Sequence, residues 1–174
     1  MSPAIRIARI TEDDWDRMRA LRLEMLADTP LAFLETLNAA REVPESEWRF
    51  RAARSARPGS LGLAAVDTSS GDWVGTMSAY VDGSGDAMLV SVYVTPAWRG
   101  PTKGVTDTLL DAVEAWVRDE IPQGRLLLHV HEQNSRARAF YARRGYVETG
   151  STIPYPLDRT QNEVEMALGL GGTP

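Results

Sequence analysis

Residues 91–146 read SVYVTPAWRGPTKGVTDTLLDAVEAWVRDEIPQGRLLLHVHEQNSRARAFYARRGY. The stretch opens on a β-branched run suited to a strand, passes through a glycine-containing turn and continues into an amphipathic helix. Val105, Leu109, Leu110, Val113, Trp116 and Val117 give that helix, expected over 103–121, one apolar stripe. Pro122-Gln123-Gly124 ends it, and 125–130 reads as the next strand. A short helix follows over 135–144, with Gly145 placed to stop it in a left-handed conformation. Strand, helix, strand in this order is a crossover connection, and it fixes the character of the sheet.

Upstream, 5–10 alternates apolar and charged residues, as a half-buried strand does. Thr11-Glu12-Asp13-Asp14 has the spacing of a capping box with Asp in the Glu role. The helix it introduces carries Trp15, Met18, Leu21, Leu23, Met25 and Leu26, and Asp28-Thr29-Pro30 stops it. A loop over 31–36 leads to a second helix expected over 44–56, with Pro44 suited to its first turn. Strands over 61–66, 73–81 and 87–94 are separated by the turns Ser69-Ser70-Gly71-Asp72 and Asp82-Gly83-Ser84-Gly85-Asp86, which makes an antiparallel meander. Downstream, 146–148 and 163–168 read as closing strands around an irregular 150–162. No internal repeat or long linker interrupts the chain. The expectation is one α+β domain over 1–168, a mixed, mostly antiparallel twisted sheet flanked by helices in three layers, with 169–174 as a disordered tail.

Composition narrows the chemistry. The chain has 174 residues, 43% hydrophobic and 25% charged, ordinary for a single globular domain. No apolar run approaches the roughly 20 residues that span a bilayer, and the N-terminus has no secretory pattern, so neither a membrane protein nor an exported one is expected. Cysteine is absent, which excludes disulfides, thiolate nucleophiles and Cys-ligated metals. A cytoplasmic protein fits. The net charge of −5 argues against a nucleic-acid surface. Of 19 basic residues only Lys103 is a lysine, and it falls within the turn before the long helix.

That turn has the makings of an anion site. The first N–H groups of a helix lack internal acceptors, and the helix dipole favours negative charge beside them. A Walker A loop is excluded because Lys103 precedes Gly104, and no dinucleotide-binding G-x-G-x-x-G is present. The alternative is a plain helix start with Pro101 near its first turn.

The segment after the second strand of the crossover is the most specific. Asn134, Ala137, Phe140, Tyr141, Gly145 and Tyr146 fit the pattern N-x-x-A-x-x-F-Y-x-x-x-G-[FY]. In this pattern, and in the order of strands and helices over nearly the whole chain, the sequence resembles the GNAT superfamily of acyl-CoA-dependent N-acyltransferases. The resemblance implies a GNAT-like fold and acetyl-CoA as co-substrate. It implies that the backbone of Val92, Tyr93 and Val94 pairs with the pantetheine arm, an N–H near Val94 polarising the thioester carbonyl. It further implies that Arg99, Gly100, Thr102, Lys103, Gly104, Val105 and Thr106 cradle the diphosphate. The turn departs from the family's [QR]-x-x-G-x-[GA]: Pro101 stands at the Arg/Gln position, Thr106 at a small-residue position, and the segment after Gly100 is two residues longer. Pro101 brings no N–H.

The same resemblance implies that Tyr141 protonates the departing thiolate and that Asn134 holds the pantetheine. Asn134 also sits where a helix cap is expected. Arg138 and Arg136 are placed either for CoA phosphates or as solvated helix charges. A base must take the amine's proton; His131, Glu132 and Glu35 are candidates, and His129 and His131 share a strand face. Phe33 and Glu35 fall in the loop that resembles an acceptor-lining segment. No metal is expected, since the His pair has no evident third ligand. The expected function is direct transfer of an acetyl group from acetyl-CoA to a primary amine, with a non-catalytic acyl-CoA-binding module as the alternative. The acceptor, a small-molecule amine or a peptide N-terminus, is open. Glu35, Asp86 and Glu132 would suit a cationic one if they converged. Oligomeric state is equally open, a homodimer included.

Overall fold

The computed structural model describes residues 4–170. Seven strands are present among them: β1 (Ile5–Arg9), β2 (Ser60–Asp67), β3 (Trp73–Val81), β4 (Ala87–Val94), β5 (Arg125–His131), β6 (Val147–Pro154) and β7 (Asn162–Gly169). They form one sheet in the order β1-β2-β3-β4-β5-β7-β6, antiparallel except for the β4–β5 pair. The helices are α1 (Trp15–Asp28), α2 (Leu37–Glu42), α3 (Glu45–Arg54), α4 (Val105–Glu120) and α5 (Ser135–Arg143). This is the mixed, helix-flanked sheet read from the sequence.

Both faces of the sheet are covered. β2 shows why its residues read as a continuous apolar run: Leu61, Leu63 and Ala65 pack in the core that holds α4, while Ala64 and Val66 pack with Ile10 and Ala52 on the other side. Leu109, Leu110, Val113 and Val117 are fully buried along one stripe of α4. Burying side chains of this size contributes about 1.5–3 kcal/mol each, which fixes α4 against β2 and β3. On the opposite face, Leu21, Met25 and Leu26 of α1 gather with Phe33, Trp48 and Tyr93.

Four local details differ from the sequence expectation. α2 lies where no helix was expected: Thr36 Oγ1 accepts from Ala39 N at 3.2 Å, and Ala40 is completely buried. A helix this short depends on such packing, so periodicity does not reveal it. Pro44 is the N-cap of α3 and lies just outside its first turn. β6 runs on to Pro154 through residues expected to be irregular; it is an edge strand exposed throughout, and its pairing shifts register between Glu148 and Thr152. Gly169, expected in the tail, pairs with Arg125, and Leu170 is buried. Residues 171–174 lie outside the described residues. The capping box at Thr11–Asp14 and the positive φ of Gly145, +90°, are as expected. No helix among the described residues is long and apolar enough to cross a membrane.

Candidate active site

The site begins with a defect in the sheet. β4 and β5 pair only at Ala87↔Leu126 and Met88↔Leu127, then part. A bulge in β4 accompanies the split: Thr76 faces Tyr93 and Ser78 faces Val90, so three steps along β4 oppose two along β3. Ser91 sits in the bulge at φ +55°, left-handed for a residue with a side chain. The split leaves a cleft of about 300 Å³ between Leu89–Val92 of β4 and Leu128–His131 of β5, closed further by Asn134, Ala137, Tyr141, Glu163 and Phe33. Strand edges facing such a gap are templates for an extended, amide-bearing ligand.

The chain leaves the splayed end of β4 and reaches α4 through the expected anion turn. Gly104 is the N-cap at φ +65°, and its carbonyl accepts the first helical bond from Thr108 N at 2.9 Å. The N–H groups of Val105, Thr106 and Asp107 therefore open the helix ahead of any intrahelical acceptor. Gly100, Thr102 and Lys103 are exposed on this turn, and Lys103 Nζ lies 5.4 Å from the Trp98 ring centroid. Arg99 is different. Its Nε donates to Val94 O at 2.7 Å, its guanidinium pairs with Asp28, and it stacks 5.4 Å from the Tyr93 ring centroid. It braces β4 against α1 and is not presented to a diphosphate.

Several other expectations are redirected. Tyr93 points its side chain away from the cleft, its hydroxyl donating to Glu24 at 3.0 Å, and Val94 is buried beyond the cleft beside Gly75. Leu89, Val90, Ser91 and Val92 are the β4 residues that line the gap. Arg138 binds Glu148 at 2.5 Å and the carbonyl of Glu132 at 3.3 Å, which ties α5 to β6. Glu132 turns its carboxylate onto the backbone N–H of Asn162 at 3.0 Å, so it latches β7. Asp86 is held by Arg125 at 2.7 Å. Glu35, Asp86 and Glu132 thus do not converge.

Tyr141 is buried in the cleft wall, 6% exposed, edge-on to Phe140 and Tyr146 at 5.3 and 5.4 Å. Burial pushes its phenol well above the ordinary tyrosine range. A buried neutral phenol is a durable hydrogen-bond donor, although full proton release from it is harder than from a solvated one. Asn134 is the cap expected for it. Its Oδ1 caps α5 by accepting from Ala137 N at 3.1 Å, and the residue also lines the cleft, where its amide nitrogen is a donor.

His131 is 3% exposed, edge-on to Tyr155 at 4.8 Å. Its Nδ1 accepts from Gln133 N at 3.2 Å, and its buried Nε2 has no partner among the described residues. A ring nitrogen that accepts an amide N–H carries no proton, so in the neutral ring the proton is on Nε2. In the neutral ring Nε2 is therefore a donor sealed from solvent, which disfavours His131 as the base. Glu163 was not singled out in the sequence. It faces His131 across the β5–β7 ladder, is 5% exposed and lines the cleft. Burial raises its carboxyl above the ordinary range, with His129 and His131 pulling the other way. His129 also lines the cleft, its Nε2 3.4 Å from Glu165.

A second cavity, about 370 Å³, adjoins the first. Arg22, Leu34 and Ser91 line both. Its floor holds Glu35 between Arg22 and Arg51, each at 3.0 Å. Phe33 belongs to the first cleft, with Arg22 over its ring at 4.9 Å and its carbonyl accepting from the Tyr155 hydroxyl at 3.3 Å. Among the described residues no cluster of three or more metal-ligating side chains occurs.

Comparison with known proteins agrees with this fold. A family model described as "Acetyltransferase (GNAT) family" matches residues 19–146. No curated protein sequence matches the chain. Among solved structures, a protein from Salmonella typhimurium, solved with its cofactor acetyl-CoA, is 18% identical; the match covers 98% of this chain and 96% of that one at a TM-score of 0.77. PaiA N-acetyltransferase from Thermoplasma acidophilum in complex with coenzyme A is 19% identical, with 95% and 99% covered and a TM-score of 0.75. Ribosomal-protein-alanine N-acetyltransferase from Brucella melitensis is 22% identical, with 95% and 99% covered and a TM-score of 0.77.

Proposed function

Because the chain belongs to the acetyltransferase (GNAT) family, we propose that it moves an acetyl group from acetyl-CoA directly to a primary amine at the mouth of the β4–β5 cleft. The observation that carries this reading is the meeting of four side chains in the wall of one gap: Tyr141, His131, Asn134 and the buried Glu163. An extended pantetheine arm fits between strand edges that have no strand to pair with. The diphosphate fits the first-turn N–H groups of α4, with Lys103 beside them.

In the reaction the amine nitrogen attacks the thioester carbonyl; the C–N bond forms and the C–S bond breaks. The amine's proton goes to Glu163, directly or through one water, and the thiolate takes a proton or a hydrogen bond from Tyr141. Raising a carboxyl's pKa by burial makes it a better base, provided it is ionised at the working pH. Ser91 and Val92, with backbone twisted out of the ladder by the bulge, replace Val94 as the source of an N–H for the developing oxyanion. No residue is acylated in this scheme.

The test is thiol release from acetyl-CoA across a panel of primary amines, with a parallel titration of CoA. Amine-dependent release that is lost in Tyr141→Phe supports the reading. CoA binding with no release for any amine contradicts it.

A further inference from the structure

Resting on that reading, we infer that the acceptor is a small amine that carries a carboxylate, of the amino-acid type with an apolar side chain. The cavity beyond the thioester cleft holds a surplus of positive charge. Arg22 and Arg51 share the single carboxylate of Glu35, a balance of 2 − 1 = +1. Adding the two other charged residues of the lining, Arg54 and Glu47, leaves 3 − 2 = +1.

The two central guanidiniums are only partly satisfied. Arg22 uses Nε on Glu35, and Arg51 uses NH1 on Glu35 and Nε on Glu47. Both are largely buried, with side chains 19% and 23% exposed. A buried guanidinium with spare N–H groups in its fixed fork is suited to a second carboxylate. Burial lowers the pKa of Arg22 and the nearby Arg51 charge adds to this, while the Glu35 contact opposes it. A cationic acceptor would meet the opposite field.

Position sets where the carboxylate lies. Arg22 lines both cavities together with Ser91, at the junction where the acetyl group is delivered. An anion held there leaves its amine close to the thioester, as an α-amino acid does. Met18, Leu21, Met25, Trp48 and Trp73 give the rest of the wall an apolar and aromatic side, facing the hydroxyl-bearing Thr76, Ser78 and Ser91, and about 370 Å³ suits a small molecule.

The test uses binding, so that it does not depend on turnover. N-acetylmethionine and its primary amide are titrated against the full chain, followed by tryptophan fluorescence, since Trp48 and Trp73 line the cavity. The acid should bind at least about tenfold tighter than the amide. Arg51→Gln should remove that preference and Glu35→Gln, which frees both arginines, should increase it; the opposite signs separate recognition from damage to the fold. In the thiol-release assay methionine should exceed methioninamide and 3-(methylthio)propylamine when rates are compared on unprotonated amine. Equal or tighter binding of the amide, no binding of either ligand, or weaker acid binding by Glu35→Gln would overturn the assignment. Preferential acid binding without any acetyl-CoA-dependent release would instead overturn only the transferase reading.

Discussion

Glu163 of β7 stands directly opposite His131 of β5, and both side chains are almost wholly buried in the wall of one cleft, 5% and 3% exposed. Neighbouring carboxylates are committed: Glu132 to the backbone of β7, Glu35 to two arginines, Glu165 to Thr149. Glu163, which no such contact occupies among the described residues, is the base proposed above.

Replacing Glu163 by Gln should lower kcat by about 10²-fold or more, the usual contribution of a general base. Stability should move the other way. The folded-state pKa is raised by burial, so folding favours the protonated carboxyl, and that contribution is lost as pH rises through the folded value. Above the unfolded-state value the carboxyl therefore costs the wild type stability relative to a neutral isostere. Glu163→Gln should melt higher there, and the difference should shrink as pH falls towards ~4.3. A lower melting temperature at pH 7 with unchanged kcat would remove Glu163 from the mechanism.

Tyr141→Phe keeps the ring and its edge-on contacts, so the fold should be unaffected while kcat falls about 10²-fold. Burial holds the phenol above its ordinary value, so the wild type should show no alkaline loss of activity centred near ~10 from this group. Equal rates for the two proteins across pH would contradict the acid role.

The bulge is tested at Ser91. Glycine accepts φ +55° without strain, so Ser91→Gly should retain activity. A β-branched valine is strongly disfavoured there, and Ser91→Val should lose about 1–3 kcal/mol of stability and much of kcat/KM. Chemical denaturation and steady-state kinetics on the pair decide it. If Val behaves like Gly, the strained backbone is not needed.

How far the sequence revealed this differs by layer. The crossover through α4 and the α5 motif are legible because periodicity, glycine stops and spacing are local signals. The splitting of β4 from β5 is not, because Ser91-Val92-Tyr93-Val94 has the composition of any strand and a non-glycine bulge leaves no mark in it. Arg99 looked like a phosphate ligand by position, but Asp28, 71 residues earlier in the chain, claims it. Glu163 was hidden for the same reason: what makes it unusual is its neighbour on β5 and the water it loses, and neither is written beside it.

Lys103→Ala should weaken CoA binding about two- to fivefold at low salt with little effect on kcat, because an exposed cation near a diphosphate is screened. The wild-type advantage should shrink at high salt. Identical affinities at both salt levels would exclude a phosphate contact.

Arg144 joins α5 to α4 by reaching Asp107, Asp111 and Glu114 at 2.9, 2.5 and 3.3 Å. Glu114 is buried and also accepts from the Tyr146 hydroxyl at 3.1 Å. Arg144→Gln should lower stability by about 2 kcal/mol. It should also weaken CoA binding, since Asp107 in the first turn of α4 would lose its counter-charge. Unfolding curves and CoA titration measure both. A destabilised variant with unaltered CoA affinity would separate Asp107 from the anion site.

The most direct measurement is the structure of the protein with coenzyme A bound. The pantetheine arm should run between the separated halves of β4 and β5, with the diphosphate on the N–H groups of Val105, Thr106 and Asp107 and the sulfur beside the Tyr141 hydroxyl. Coenzyme A seated elsewhere, or its sulfur out of reach of Tyr141, would contradict the account.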